Sequence, residues 1–198
     1  MKKVLLVLLV VVAGFAAFVA TRAAKFHIER SIAIRAPDSV VYPLIASFHA
    51  WPTWSPWEKL DPSMTKAFSG PESGAGANYV WKGNNKVGEG SMTITSAKPP
   101  EQVVVRIDFL APMKATNTAT FDLKQHAGTT LVKWNMDGNN DFFGKAFSVF
   151  VDMDKMVGDD FEKGLAAMKA QAEANDKKIR AEAPPKQPPA EPAPAATP

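Results

Sequence analysis

The sequence contains no cysteine and only 3 histidines among its 198 residues. Without thiols the chain has no disulfide, no cysteine nucleophile and no zinc–thiolate centre, although this absence leaves the cellular compartment open. The histidines, His27, His49 and His126, do not lie at metal-ligand spacing from one another, and no HExxH, GxSxG or phosphate-loop motif occurs. We therefore expect no metal, no cofactor and no recognisable catalytic residue.

A strong excess of one charge is also missing. The 23 lysines and arginines are interspersed with 20 aspartates and glutamates, which gives a formal net charge of +3 and a pI near 9.0. This balance is too mild to indicate a nucleic-acid partner. The aspartates of residues 152–160 lack the EF-hand pattern, and their helical spacing predicts a solvated helix face.

One long apolar run is present, at the N-terminus. It extends from Val4 to Ala20 without a charge, close to the roughly 17 residues of a short membrane span and longer than the roughly 7–15 of a signal peptide. We predict that residues 1–25 form an uncleaved inner-membrane anchor, with Lys2 and Lys3 cytoplasmic and the following domain in the periplasm. A cleaved signal peptide, giving a secreted or periplasmic protein, is the alternative.

The remaining chain divides by composition and period. Residues 177–198 are rich in proline and alanine, which predicts a disordered tail. Residues 26–176 predict an α+β domain: an alternating strand, short helices after Pro37, a meander of about six strands separated by turn residues, and a long helix. The predicted apolar stripe of the long helix comprises Phe150, Met153, Val157, Phe161, Gly164, Leu165 and Met168.

Four segments in this order, "RSIAIRAPDSVVYPLI", "FHAWPTWSPWEKLDP", "FSGPESGAGANYVWKG" and "DMDKMVGDDFEKGLAAMK", resemble the START-like, helix-grip superfamily. This superfamily is also called SRPBCC or polyketide cyclase/dehydrase-type, and the similarity, to its single-domain bacterial branch, covers about residues 26–172. The resemblance implies a curved antiparallel sheet of about seven strands wrapped around a long C-terminal helix, with an apolar cavity between them. Members bind lipids, sterols, polyketides or other hydrophobic molecules, and a minority catalyse reactions on them.

Large side chains on the predicted inner faces are the candidates for a cavity wall. The sheet contributes Tyr79, Trp81, Phe109, Phe121 and Trp134, and the helix contributes Met153, Val157 and Phe161. Aromatic rings and flexible methionines at one interface suit an adaptable cavity, but a filled core uses the same residues.

Two polar residues interrupt these apolar faces. Arg30 shares a face with Ile28 and Ile32, so it should meet a carboxylate, a ligand headgroup or water at the cavity mouth, unless a bulge turns it outward. Asn117 lies between apolar positions, where it could orient a ligand or satisfy a neighbouring backbone group.

Three of the 5 tryptophans fall within "WPTWSPWEKLDP". We expect Trp51 to close one end of the core, and Trp54 and Trp57 to serve either the core or the cavity. Trp57, which precedes the return of "EKLDP" to the surface, is the best candidate for the cavity rim.

The favoured function is therefore a membrane-tethered module that binds a hydrophobic small molecule or lipid. The first alternative is a cyclase-, dehydratase- or hydrolase-like enzyme in which Arg30, Asn117 or Tyr79 polarises a carbonyl. The second is a partner-binding scaffold with a filled core, whose protein partner is unknown.

Overall fold

The alternating stretches form a single antiparallel sheet in the computed structural model, which describes residues 1–183. Its strands are β1 Lys25–Ile34, β2 Thr65–Ser69, β3 Asn78–Lys82, β4 Glu89–Lys98, β5 Gln102–Ala111, β6 Ala115–His126 and β7 Thr129–Asn139. The strand order is β1-β7-β6-β5-β4-β3-β2, so consecutive strands from β2 to β7 form a meander and β1 closes onto β7. This confirms the predicted seven-stranded arrangement.

Residues 1–183 form four α-helices, of which the last lies against the inner face of this sheet. They are α1 Lys2–Ala20, α2 Asp38–Ala46, α3 Phe142–Phe150 and α4 Met153–Glu182, with two short 3₁₀ helices, Phe48–Thr53 and Pro56–Lys59, between α2 and β2. The long α4 packs against β1 and α2. Its side chains Phe161, Leu165, Met168 and Ala172 are fully buried, or nearly so, which confirms the α+β helix-grip architecture.

Strand alternation holds the apolar residues on the inner face. Val103, Val105 and Ile107 of β5 are buried, as are Ala119 and Phe121 of β6, while their chain neighbours are less buried or exposed. Register shifts between β4 and β5, at residues 89–90 and 94–96, interrupt the ladder. Bulges of this kind bend and twist a strand, which curves the sheet around the helix.

The C-terminal helical region differs from the prediction in one respect. Phe150 does not belong to the apolar stripe of α4, because the chain forms a separate helix, α3, and turns at Val151 and Asp152 before α4 begins. The carboxylate of Asp141 accepts a hydrogen bond from the Gly144 amide, and the carboxylate of Asp152 accepts one from the Lys155 amide. Each aspartate therefore caps the start of a helix.

The apolar N-terminal run forms α1, which is long and apolar enough to cross a membrane by length and composition; a signal sequence meets the same criteria. Most of its side chains are exposed, and it packs against α3. At the other end, α4 continues to Glu182, beyond the expected boundary at residue 176. The rest of the predicted tail, residues 184–198, lies outside the described residues.

Candidate functional site

A cavity of about 850 Å³ lies between the inner face of the sheet, the 3₁₀ segment and the helices α3 and α4. Its lining is mostly apolar. A volume of this size is in the range of small-molecule sites, roughly 300–1,000 Å³. The predicted alternative of a filled core is therefore not what the structure shows.

Most of the predicted wall residues line this cavity. They are Trp57, Tyr79, Trp81, Phe109, Asn117, Trp134, Met153 and Val157. They share the cavity with methionines that the sequence analysis did not single out: Met64, Met92 and Met136. Because methionine side chains change rotamer at little cost, they can adapt the wall to the shape of a ligand.

Three predicted aromatic candidates lie in the core beside the cavity and do not line it. Trp54, Phe121 and Phe161 are at most 1% exposed. The Phe161 ring stacks on Trp134 with centroids 4.0 Å apart, and the Trp54 and Phe121 rings also pack against Trp134. Trp134 therefore separates this aromatic cluster from the cavity, and its neighbours support the wall from behind.

Arg30 is the fourth candidate outside the cavity. The register of β1 with β7 is continuous through Arg30, so no bulge turns it outward. Its guanidinium instead donates to Asp154 at 3.0 and 3.2 Å and to Glu162 at 3.0 Å, both on α4. The arginine meets carboxylates rather than a ligand, and it holds the pKa of Asp154 below its ordinary value by donating these hydrogen bonds.

Gly158 makes this contact possible. A Cβ atom at Gly158 would lie 2.0 Å from Nη2 of Arg30 and 2.4 Å from its Cζ. Any larger residue would displace the guanidinium, so the glycine lets the start of α4 lie directly on β1. The contact fixes the part of α4 that carries Met153 and Val157 into the cavity wall.

The tryptophan segment divides into two roles. The indole N–H of Trp51 donates to the carbonyl of Ile45 at 3.0 Å, and that of Trp54 donates to Leu44 at 2.7 Å. These carbonyls lie in the last turn of α2, where they lack helical partners, so the two buried rings close that end of the core. Trp51 also borders the cavity. Trp57 is half-buried, and its ring packs edge-on against Trp134 and Phe161.

Trp81 depends on a close approach of the backbone. It is paired in register with Gly90 of β4, and a Cβ atom at Gly90 would lie 2.5 Å from Cη2 of Trp81 and 2.6 Å from the carbonyl oxygen of Asp108. The missing side chain therefore leaves room for the indole to lie across the sheet. The Trp81 indole N–H donates to the carbonyl of Val87 at 3.0 Å.

A charged group lies in the cavity wall where the sequence predicted a return to the surface. The Glu58 side chain is only 6% exposed, accepts a hydrogen bond from the Tyr79 hydroxyl at 2.8 Å, and pairs with Lys66. Burial, followed by the hydrogen bond to Glu58, raises the pKa of Tyr79 well above its ordinary value, so its hydroxyl keeps its proton. No sequence signal marks Glu58, since a glutamate followed by a lysine is ordinarily solvated.

Asp61 is buried as well and anchors the loop between β3 and β4. Its carboxylate accepts hydrogen bonds from the Ser63 hydroxyl at 2.6 Å, the Asn84 amide at 2.7 Å and the Ser63 amide at 3.0 Å. The side-chain bond from Ser63 and the backbone bond from Asn84 lower the pKa of Asp61. The anchored loop carries Lys86, which borders the cavity.

Asn117 is a polar residue of the inner face whose side chain makes only a weak described contact. Among its described contacts, its amide nitrogen is 3.8 Å from Sδ of Met136, a weak interaction. It is half-buried and lines the cavity, so its amide is open to a ligand as the sequence suggested. Its role in binding stays a prediction.

The mouth of the cavity involves residues that sequence reasoning missed. Phe143 and Phe147 of α3, Met156 of α4 and Met113 of the β5–β6 loop line it, and all four are exposed. Their positions follow from the break between α3 and α4, which the apolar periodicity does not reveal. No group of three or more metal-ligating side chains occurs within residues 1–183.

Comparisons with known proteins agree with this architecture. The model of a family described as "Polyketide cyclase / dehydrase and lipid transport" matches residues 25–173. A search of curated proteins found no significant match.

Several solved structures share the fold at low sequence identity. A Nitrosospira multiformis protein has a TM-score of 0.55 at 18% identity, covering 77% of this chain and 99% of that one. A Chromobacterium violaceum protein has a TM-score of 0.55 at 13% identity, covering 74% and 96%. Major latex-like protein 151 from Panax ginseng has a TM-score of 0.53 at 12% identity, covering 78% and 99%. At these identities the likeness establishes the fold alone.

Proposed function

The chain belongs to the polyketide cyclase/dehydrase and lipid transport family, and from this premise we propose that it is a membrane-tethered module that binds one hydrophobic small molecule or lipid. The observation that carries the proposal is the cavity of about 850 Å³ with its mostly apolar wall. Apolar surface that faces an open cavity is costly in water, and a hydrophobic ligand removes that cost.

The polar groups of the wall suggest the chemistry of such a ligand. Glu58 and the Tyr79 hydroxyl are already hydrogen-bonded to each other, and the carboxylate of Glu58 retains further acceptor sites. The amide of Asn117 is open on the same wall. An amphiphile with one hydroxyl or amide group would satisfy these sites while its apolar body fills the rest of the cavity.

The tether is the second part of the proposal. Only residues 21–24 separate the apolar helix α1 from β1, which supports a position of the domain close to the membrane that α1 would span. With Lys2 and Lys3 on the cytoplasmic side, the domain lies in the periplasm. A hydrophobic ligand partitions into that membrane, so the tether keeps the binding site where the ligand is concentrated.

Native mass spectrometry of the full chain, released from a mild detergent, tests the binding function. We expect an added mass corresponding to one hydrophobic molecule, and organic extraction of the same sample should identify its class. A protein that carries no added mass and takes up neither a fatty acid nor a phospholipid supplied in the detergent would contradict the proposal. Resistance of the chain to carbonate extraction from membranes tests the tether separately.

A further inference from the structure

The helix α3 exposes large apolar side chains around the cavity mouth. Phe143 is 71% and Phe150 is 77% exposed, and the neighbouring Phe142, Phe147, Met113 and Met156 are exposed by 43–52%. We call these six residues the apolar lip. Contiguous exposed apolar groups of this size are costly in water and usually mark a binding surface.

Contacts with α1 determine where the lip lies relative to a membrane. The rings of Phe15 and Phe150 are 6.0 Å apart, Val19 is fully buried, and the Lys145 Nζ is 3.5 Å from the carbonyl oxygen of Ala20. α3 therefore runs antiparallel along the last turns of α1. Since Phe15 precedes the end of α1 by five residues, it lies about 7.5 Å inside that end.

The cavity mouth lies at the same end of the sheet as α1. The first residue of β1, Lys25, pairs with Asn139 at the end of β7, and the Asn140 amide donates to the carbonyl of Ala24 at 2.7 Å. The β5–β6 loop reaches this end as well, because β6 starts beside the end of β7, where Asn117 pairs with Gly138. An inserted α1 thus brings the mouth and the lip to the bilayer together.

Charges around the lip favour an interfacial depth. Lys86, Lys114 and Asp141 border the mouth, and Arg22 follows α1, so charged side chains, most of them cationic, flank the apolar ones. Asp152, two residues after α3, and Lys155, in the first turn of α4, are exposed, which limits how deep the C-terminal end of α3 lies. An apolar face flanked by such charges lies at the boundary of headgroups and acyl chains, roughly 5–10 Å deep.

We propose that the apolar lip is embedded in the interface of the bilayer that α1 spans, so that the cavity opens onto lipid rather than onto water. The inference rests on the proposed tether and deepens the proposed function: the ligand is an amphiphile of the bilayer itself, and it enters laterally between α3 and the β5–β6 loop. A second copy of the chain, or a protein partner, covering the lip is the competing occupant.

The absence of cysteine makes a depth measurement direct, because each introduced cysteine carries the only label. The full-length variants Phe143→Cys, Phe150→Cys and Lys124→Cys, labelled with a polarity-sensitive nitrobenzoxadiazole, are reconstituted into phosphatidylcholine vesicles containing phosphatidylglycerol. Lys124 is the matched control, since it is exposed near the opposite end of β6. Unchanged thermal unfolding of each variant shows that the fold is retained.

We expect doxyl-labelled phosphatidylcholine to quench the labels at positions 143 and 150 and to leave that at 124 unaffected, with aqueous iodide showing the reverse pattern. If iodide quenches the labels at positions 143 and 150 as strongly as the label at position 124, the proposal that the apolar lip is embedded in the bilayer is wrong. If protection of these labels from iodide increases with protein density while the lipid quencher has no effect, a second copy of the chain or a protein partner covers the surface. This result also contradicts the proposal.

The same samples separate this inference from the proposed function. If the labels lie in the bilayer but the protein carries no hydrophobic molecule, the embedded lip is supported and the proposed binding function is rejected. A bound hydrophobe with water-exposed labels would do the opposite. A chain that carbonate extracts from the vesicles contradicts the tether and the lip together.

Discussion

A larger side chain on α4 should stabilise the protein where it enters the cavity and destabilise it where the helix is fully packed against the core. Val157 lines the cavity and is half-buried, whereas Ala172, four turns further along α4, is fully buried and does not line it. We compare Val157→Phe with Ala172→Phe in the full chain. Valine and phenylalanine have similar helix propensities, whereas replacing alanine costs about 0.5 kcal/mol of propensity, which adds to the expected loss at Ala172.

The expected magnitudes follow from the space available. The change at Val157 adds about four carbons, worth about 3 kcal/mol if fully buried; burial of about half of this, less about 0.5–1 kcal/mol of side-chain ordering, leaves a gain of up to about 1 kcal/mol. The ring at Ala172 has no space and should cost about 1–3 kcal/mol through overpacking.

Urea unfolding in mild detergent, followed by tryptophan fluorescence, measures both free energies of unfolding. The Val157→Phe protein should also carry less of the co-purified hydrophobe by native mass spectrometry, because its ring occupies the ligand volume. The Ala172→Phe protein, provided that it folds, should retain it. The reasoning is refuted if Val157→Phe destabilises the chain as much as Ala172→Phe, since the space beside Val157 would then be filled.

Three further variants probe the wall and its surroundings. Trp54→Ala should cost about 3–5 kcal/mol in urea unfolding, whereas Trp57→Ala should cost clearly less and mainly lower the bound hydrophobe; equal costs would place both rings in the core. Tyr79→Phe removes the hydrogen bond that the buried Glu58 accepts and should lower the free energy of unfolding by about 1–3 kcal/mol. An unchanged urea midpoint would show that water replaces the hydroxyl. The pKa of Asp61 is depressed in the folded state, so its stabilisation is present above the ordinary value of 3.8 and lost as the pH falls through the depressed value. Asp61→Asn should therefore weaken the acid dependence of the urea midpoint, and an unaltered pH profile would contradict this assignment.

Much of the fold was predictable because its signals are local. A period of two determines which residues of β5 and β6 face inward, and a period near 3.6 places Phe161, Leu165 and Met168 on one side of α4. The apolar run that forms α1 is likewise visible without any tertiary information. The strand order follows from hairpin-length connections, which bring consecutive strands together.

Individual site residues were less predictable, because the same side chain suits a core or a cavity wall. Trp57 and Trp54 are three residues apart in one segment, yet only Trp57 lines the cavity. The sequence left open whether Arg30 faces inward or is turned outward by a bulge, and its contact with the α4 carboxylates depends on Gly158 and on residues more than a hundred positions away.

The sequence by itself determined the family, the inner and outer faces of the strands, the long C-terminal helix and an apolar segment long enough to span a membrane. The family follows from the resemblance of four segments to known members, and the other three features depend on composition or on a repeat that neighbouring residues express. Only the tertiary structure decided that α3 is separate from α4, that Glu58 is buried, and that a cavity remains between sheet and helix. These features depend on how distant elements pack, since empty volume and the burial of a charge are properties of the assembled layers and not of any one segment.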